Sequence, residues 1–141
     1  MLKGEEFVAS LAPKCGLTSW QALNKVVDLV REEPRRMRMG TLLTTDSTHR
    51  LPLPRCGTAG CIAGWLGVVT GRPGEGEGAI SNIVVPPGLV LELYTAFFAG
   101  AHFDLRDGTQ EQADAVIAWI RGFMRRNEHE LKTFQIPVMD S

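Results

Sequence analysis

The most unusual segment of this sequence is Cys56-Gly57-Thr58-Ala59-Gly60-Cys61-Ile62-Ala63-Gly64-Trp65. It runs on into the apolar residues up to Val69, and Gly71 and Pro73 follow. The apolar run and these terminating residues predict a helix from about Thr58 to Val69. We expect the rest of the chain to pack around this Gly-rich helix.

Small residues recur on one face of this predicted helix, at Gly60, Ala63, Gly64 and Gly67, beside Ala59. Each glycine inside a helix costs about 1 kcal/mol relative to alanine, so several together need a compensating gain. The gain is close approach of another group to the backbone. A neighbouring helix is the commoner explanation, and a ligand is the alternative.

Composition and charge place the chain among ordinary globular proteins. Its 141 residues, 44% of them apolar and 22% charged, predict a single domain over residues 1–141. The net charge of −1 does not favour a protein that binds nucleic acid over its whole surface. The chain has no long apolar run, no basic and apolar leader, and an odd number of cysteines (three), so we expect a cytoplasmic protein without a membrane segment.

The periodicity predicts a mainly α fold of about five helices around the central one, with long ordered loops at 37–57 and 71–87. Capping boxes at Thr18 and Gln21 and at Thr109 and Gln112 mark two helix starts. Within the second loop, residues 83–85 could form a short extended piece, and residues 135–141 are predicted to be a loose tail. The predicted helices span residues 3–12, 19–33, 58–69, 88–99 and 110–132.

The start of the central helix resembles an anion-binding cradle. Amides at a helix N-terminus point outward and carry partial positive charge, which suits phosphate. The segment is not a Walker loop. Each of these features also has an explanation without a ligand. The glycines could form a plain helix start capped by Thr58, the arginines a solvated basic face, and His49 a solvated position in a loop. The candidate ligand-binding residues are Arg36, Arg38, His49, Arg55, Cys56, Gly57, Thr58, Ala59 and Gly60.

Cysteine chemistry has weaker support. The helix field could lower the pKa of the Cys56 thiol, but a nucleophile needs a base, and a buried inert cysteine is the commoner outcome. Cys56 and Cys61 could ligate a metal with His49 or Asp46, yet their spacing is wide and no second pair completes the set. We therefore assign no catalytic residue, no metal and no cofactor.

A second basic group lies near the end of the last predicted helix, where cations offset the helix dipole without needing a partner. It consists of Arg121, Arg125, Arg126 and Lys132.

The segment with Cys56-Gly57-Thr58, Cys61 and Ala63-Gly64, followed by Phe97-Phe98, Gly100 and Phe103, resembles a set of small uncharacterised proteins of bacteria and their phages. The resemblance covers about residues 37–120. Those proteins often carry a tryptophan shortly before the first cysteine, where this chain has residues 51–55 without one. The resemblance implies a small helical fold centred on the motif, in a phage or mobile-element setting, and no particular reaction.

Three functions remain open from the sequence. The preferred one is non-catalytic binding, or sequestration, of a small anionic or nucleotide-like ligand. The alternative is a helical protein-interaction module or inhibitor of a host protein, which could be a homodimer. The third is a cysteine- or metal-dependent enzyme.

Overall fold

A computed structural model describes residues 4–11, 13, 16–39, 43–44, 59–72, 77–99, 105–106 and 108–138. The fold is mainly α, as predicted. Over the described ranges, no helix combines the length and apolar character needed to cross a bilayer. The helices are α1 Gly4–Ser10, α2 Ser19–Glu32, α3 Ile62–Val69, α4 Glu77–Val84, α5 Val90–Ala99, α6 Gln110–Arg126 and α7 Glu128–Thr133, with 3₁₀ turns at Pro34–Arg36 and Pro87–Leu89.

The central position predicted for the Gly-rich helix is confirmed. All eight residues of α3 are buried, and Trp65, Ile62 and Leu66 are 0% exposed. The helix packs against α2 on one side and α4 on another. Because α3 has no polar face, it can exist only where other elements cover it completely.

The predicted start of this helix is wrong. Residues Ala59–Gly60 form a strand, β2, that pairs antiparallel with β1, Leu43–Thr44, and α3 begins only at Ile62. The Gly60 carbonyl accepts a hydrogen bond from the Arg38 amide at 2.8 Å. Glycine has a low intrinsic helix propensity, so these tertiary hydrogen bonds determine the backbone conformation of Gly60.

The capping box at the start of α2 is confirmed. The Thr18 hydroxyl accepts from the Gln21 amide at 3.2 Å, and the Gln21 side chain accepts from the Thr18 amide at 2.9 Å. These two bonds satisfy donors that the first turn of a helix leaves without partners.

At the start of α6 only half of the predicted capping box forms. Thr109 accepts from the Gln112 amide, but the Gln112 side chain turns inward and is 0% exposed. Its oxygen accepts from the Met39 amide at 3.3 Å, and its nitrogen donates to the Leu105 carbonyl at 3.1 Å. Gln112 thus joins the segment after α2 to the segment before α6.

The predicted loop at 71–87 contains helix α4, and the predicted extended piece at 83–85 lies at the end of this helix. Ile80 and Val84 are one turn apart and buried at 0% and 1% exposure. Burial of these two side chains outweighs the weak helix preference of the flanking glycines and prolines.

The last predicted helix, 110–132, is interrupted at Asn127. The amide nitrogen of its side chain donates to the Phe123 carbonyl at 2.9 Å and to Glu92 at 3.2 Å. This local hydrogen bonding competes with a continuous helix.

The predicted loose tail is wrong for residues 135–138. Gln135 forms a β-bridge with Thr18, and Ile136, 4% exposed, donates its amide hydrogen to the Leu17 carbonyl at 2.8 Å. The Arg72 guanidinium also donates to the Pro137 carbonyl at 2.6 Å. A buried isoleucine and these bonds hold the segment against the body of the protein.

Gly67 provides a test of close packing around α3. A Cβ atom at this position would lie 2.7 Å from the Arg72 carbonyl oxygen, where the chain folds back after the helix. We expect Gly67→Ala to lower the free energy of unfolding by about 1–3 kcal/mol, as overpacking does. Gly122→Ala in α6 is the matched control, since among the described residues its added carbon would meet a side-chain atom, Nη1 of the exposed Arg126 at 3.2 Å, rather than backbone. Urea denaturation should show no loss for the control, and equal losses would contradict the packing role.

Gln112 provides a test of the buried amide link. Gln112→Ala would leave the Met39 amide and the Leu105 carbonyl without their side-chain partner, and we expect a loss of about 2–4 kcal/mol. The control is Gln110→Ala, because within the described ranges that exposed side chain bonds only to Asp114 on the same helix. We expect the control to change stability by less than about 0.5 kcal/mol in thermal unfolding. A loss in Gln112→Ala no larger than the control's would contradict the link.

Candidate functional site

The predicted anion cradle falls largely outside the described residues. His49, Arg55, Cys56, Gly57 and Thr58 all lie there. Ala59 and Gly60 are described, and they belong to β2 rather than to a helix N-terminus. The observed first turn of α3 begins with Ile62, which is 0% exposed, so its amides face the protein interior.

Arg36 closes the C-terminal end of α2 and does not belong to a solvated basic face. One guanidinium nitrogen donates to the Leu29 carbonyl at 2.9 Å, and another lies 3.4 Å from Glu32. The side chain is 5% exposed. The Leu29 carbonyl also accepts from the Glu33 amide at 3.3 Å, and its second lone pair accepts from the guanidinium, so the buried charge has hydrogen-bond partners.

Arg38 is buried as well, at 1% exposure. Its neighbours Met37 and Met39 belong to the core at 0% and 6% exposure. For Arg36 and Arg38 the alternative of a solvated basic face is therefore wrong, since both side chains are buried in the same segment as the two core methionines. Arg35 is exposed.

A surface groove of about 430 Å³ lies between α2 and α6. The two helices run antiparallel, because Trp20 at the start of α2 shares the groove with Arg125 near the end of α6, whereas Met39 beyond α2 bonds to Gln112 at the start of α6. The groove is lined by Trp20, Asn24, Ala118, Arg121, Met124 and Arg125.

Two arginines on the α6 wall give the groove its charge. Arg121 and Arg125 are exposed and one helical turn apart. In the part of the chain that the structure describes, neither forms a salt bridge with an acidic side chain. Arg126 differs, since its guanidinium contacts Glu92 of α5 at 2.8 and 3.0 Å. The basic group seen in the sequence thus contains one structural arginine and two that line the groove.

Trp20 forms the aromatic part of the opposite wall. It is partly exposed, and the Lys132 ammonium of α7 lies 4.6 Å from the centre of its ring. Lys132 also lies 3.7 Å from Glu128, a long contact between two half-exposed side chains. The positive charge around Trp20 therefore comes from α6 and α7 together.

Acidic side chains lie towards the other end of the groove. Asp28 follows Asn24 by one turn of α2, and Asp114 precedes Ala118 by one turn of α6. Asp114 accepts a hydrogen bond from Gln110 at 2.8 Å. Because the helices are antiparallel, both carboxylates lie one turn beyond the Asn24 and Ala118 end of the lining, and neither belongs to the lining itself.

The sequence offered a partial signal for this site. The spacing of Arg121 and Arg125 places both on one face of α6, but the predicted inner face of α2 included Trp20. Leu23, Val27 and Val30 of that face are buried as expected, whereas Trp20 lies at its edge. No local pattern indicates that these two helices pack side by side.

The charge of the groove can be measured through Trp20. We expect iodide to quench tryptophan fluorescence about twofold less in the double variant Arg121→Gln, Arg125→Gln than in the wild type. A unit charge about 7 Å from an ion in water is worth about 0.6 kcal/mol before screening. Quenching by neutral acrylamide should stay the same. Both proteins carry Trp119→Phe, because Trp119 is partly exposed as Trp20 is, whereas Trp65 is 0% exposed and should contribute little.

The control for this measurement is Arg31→Gln, Arg35→Gln, which removes the same charge from exposed positions. Arg31 lies about 16 Å along α2 from Trp20, beyond the screening length at 0.1 M salt. An equal fall in iodide quenching in both double variants would contradict a groove-specific potential.

The described residues contain no group of three or more histidine, cysteine or acidic side chains placed to hold a metal ion. Comparison of the chain with protein-family models, curated proteins and solved structures finds no match.

Proposed function

We propose that the protein binds a small anionic ligand in the groove between α2 and α6, without catalysing a reaction on it. The observation that carries this proposal is the pair Arg121 and Arg125, two groove-lining guanidinium groups without an acidic partner among the described residues. Guanidinium groups are suited to phosphate and carboxylate because their N–H donors match these anions in pairs.

The spacing of the two arginines supports an anion between them. Like charges four residues apart on a helix are destabilising by about 0.2–0.5 kcal/mol. The positions three and four residues from Arg121 within α6 hold Ile117, Ala118, Met124 and Arg125, none of which is acidic. An anion contacting both guanidinium groups would remove their repulsion.

The size and lining of the groove favour a small molecule. Its volume of about 430 Å³ lies within the range of about 300–1,000 Å³ that is usual for small-molecule sites. The described lining side chains are aromatic, amide, aliphatic, thioether and guanidinium groups. None of these is a common nucleophile or general base, which favours binding or sequestration over turnover.

The alternative of a helical interaction module has less support. Among the described residues, the exposed large apolar side chains are Leu91, 75% exposed, and Val138, 46% exposed. Leu91 lies on α5 and Val138 in the C-terminal segment. Single exposed apolar residues on separate elements are ordinary for a protein surface.

Thermal unfolding with inorganic pyrophosphate tests the proposal. At a concentration about 100 times its dissociation constant, a ligand of the folded state adds about 2.7 kcal/mol of stability. For a chain of this size, that corresponds to a rise in the unfolding temperature of about 6–13 °C. We expect this rise in the wild type and in Arg31→Gln, Arg35→Gln, and little of it in Arg121→Gln, Arg125→Gln.

Two further results bear on the proposal. Raising sodium chloride to 0.5 M should weaken binding, because the arginines are exposed and salt screens them. A rise in unfolding temperature that is the same in all three proteins would place the anion elsewhere and contradict the groove as its site.

A further inference from the structure

We propose that the anionic ligand carries a planar aromatic ring, which stacks on Trp20 while its phosphate contacts Arg121 and Arg125. A nucleoside monophosphate has this chemistry. The inference rests on the proposed function, since it names the ligand class for the same groove.

Trp20 differs from the other two tryptophans in what its ring contacts. Trp65 is 0% exposed and donates its indole hydrogen to the Arg36 carbonyl at 2.7 Å. Trp119 stacks on Phe123, with ring centres 5.3 Å apart and planes 10° from parallel. Both rings are thus engaged within the fold, whereas Trp20 lines the groove.

The group above the Trp20 ring can be exchanged. The Lys132 ammonium lies 4.6 Å from the ring centre, at the end of a flexible side chain that is 51% exposed. A cation held over an aromatic face in solvent is weakly bound. An incoming ring can therefore take this position or slide along the groove side of Trp20, and either move leaves Lys132 close enough to add positive charge.

The remaining lining favours a ring over a bare phosphate. The exposed Ala118 and the ring of Trp20 supply apolar surface to the lining, and inorganic phosphate would leave this surface covered by water. Asn24 lines the groove on the same helix as Trp20, one turn further along. Its amide offers both a donor and acceptors, which suits the polar edge of a nucleobase.

The charges beyond the groove favour a single nucleotide over a nucleic acid strand. A strand needs a basic path for successive phosphates. Asp28 and Asp114 lie one turn beyond the lining residues Asn24 and Ala118, so a strand that continued past this end would meet two carboxylates instead of cations.

Calorimetric titration with a matched pair of ligands tests the inference. Adenosine 5′-monophosphate and ribose 5-phosphate share the sugar and the phosphate, and only the first has the ring. We expect adenosine monophosphate to bind about tenfold more tightly, the usual scale of stacking on an aromatic side chain. In Trp20→Leu this preference should disappear, while the affinity for ribose 5-phosphate stays unchanged.

The conservative variant Trp20→Phe separates stacking from folding. It keeps an aromatic face and should retain most of the preference, even if Trp20→Leu is too unstable to study. A preference lost equally in Trp20→Phe and Trp20→Leu, or a preference kept in Trp20→Leu, would overturn the stacking role.

The outcomes distinguish this inference from the function on which it rests. If the two ligands bind equally well and both lose affinity in Arg121→Gln, Arg125→Gln, the stacked ring is overturned and the anion site is retained. No binding of either ligand or of pyrophosphate would overturn the anion site itself. Binding of a ten-residue oligothymidylate more than about tenfold tighter than the mononucleotide would overturn the single-nucleotide assignment in favour of a strand.

Discussion

The complete burial of α3 is the constraint on which the rest of the fold depends. This helix has no polar side chain, and each of its large residues, such as Trp65 and Leu66, contributes about 1.5–3 kcal/mol only when other elements cover it. Its position determines where α2 and α4 lie, and the close approach of the Arg72 carbonyl to Gly67 shows how tightly the chain turns around it. Gly67 serves this packing, but the group closest to a Cβ placed there is the Arg72 carbonyl of the turn after the helix, and the neighbouring helix α4 contributes Ile80 at 3.4 Å.

Arginine has two distinct roles in this protein, and burial separates them. Arg36 and Arg72 donate to backbone carbonyls inside the fold, and Arg36 also lies beside Glu32, so their buried guanidinium groups have hydrogen-bond partners. Arg121 and Arg125 remain on the surface beside an aromatic ring, without an acidic partner in the described part of the chain. Arginine therefore satisfies backbone carbonyls at the buried positions, and at the exposed positions it gives the surface a positive charge.

The sequence predictions were correct for features held by interactions between nearby residues, and they missed features held by residues far apart in the chain. The start of α2 was predicted correctly because Thr18 and Gln21 satisfy each other within one turn, and its end because Pro34 follows. The helix α4, the docked segment around Ile136 and the strand at Gly60 were missed, since each is held by residues far away in the chain. Gln112 combines a local and a distant interaction. Its backbone amide donates to Thr109, as the capping pattern predicts, whereas its side chain forms hydrogen bonds with Met39 and Leu105.

The amino-acid sequence by itself determined a mainly helical chain with a central apolar helix, because apolar periodicity and end signals act within a few turns. The tertiary structure decided which basic residues are available to a ligand. Arg36 and Arg38 were among the candidate ligand-binding residues in the sequence, but they are buried with the methionines beside them. Arg121 and Arg125 looked like ordinary helix-end charges, and the antiparallel packing of α2 against α6 places them opposite Trp20. Such a site depends on two helices separated by about 80 residues of sequence, and no local preference encodes their contact.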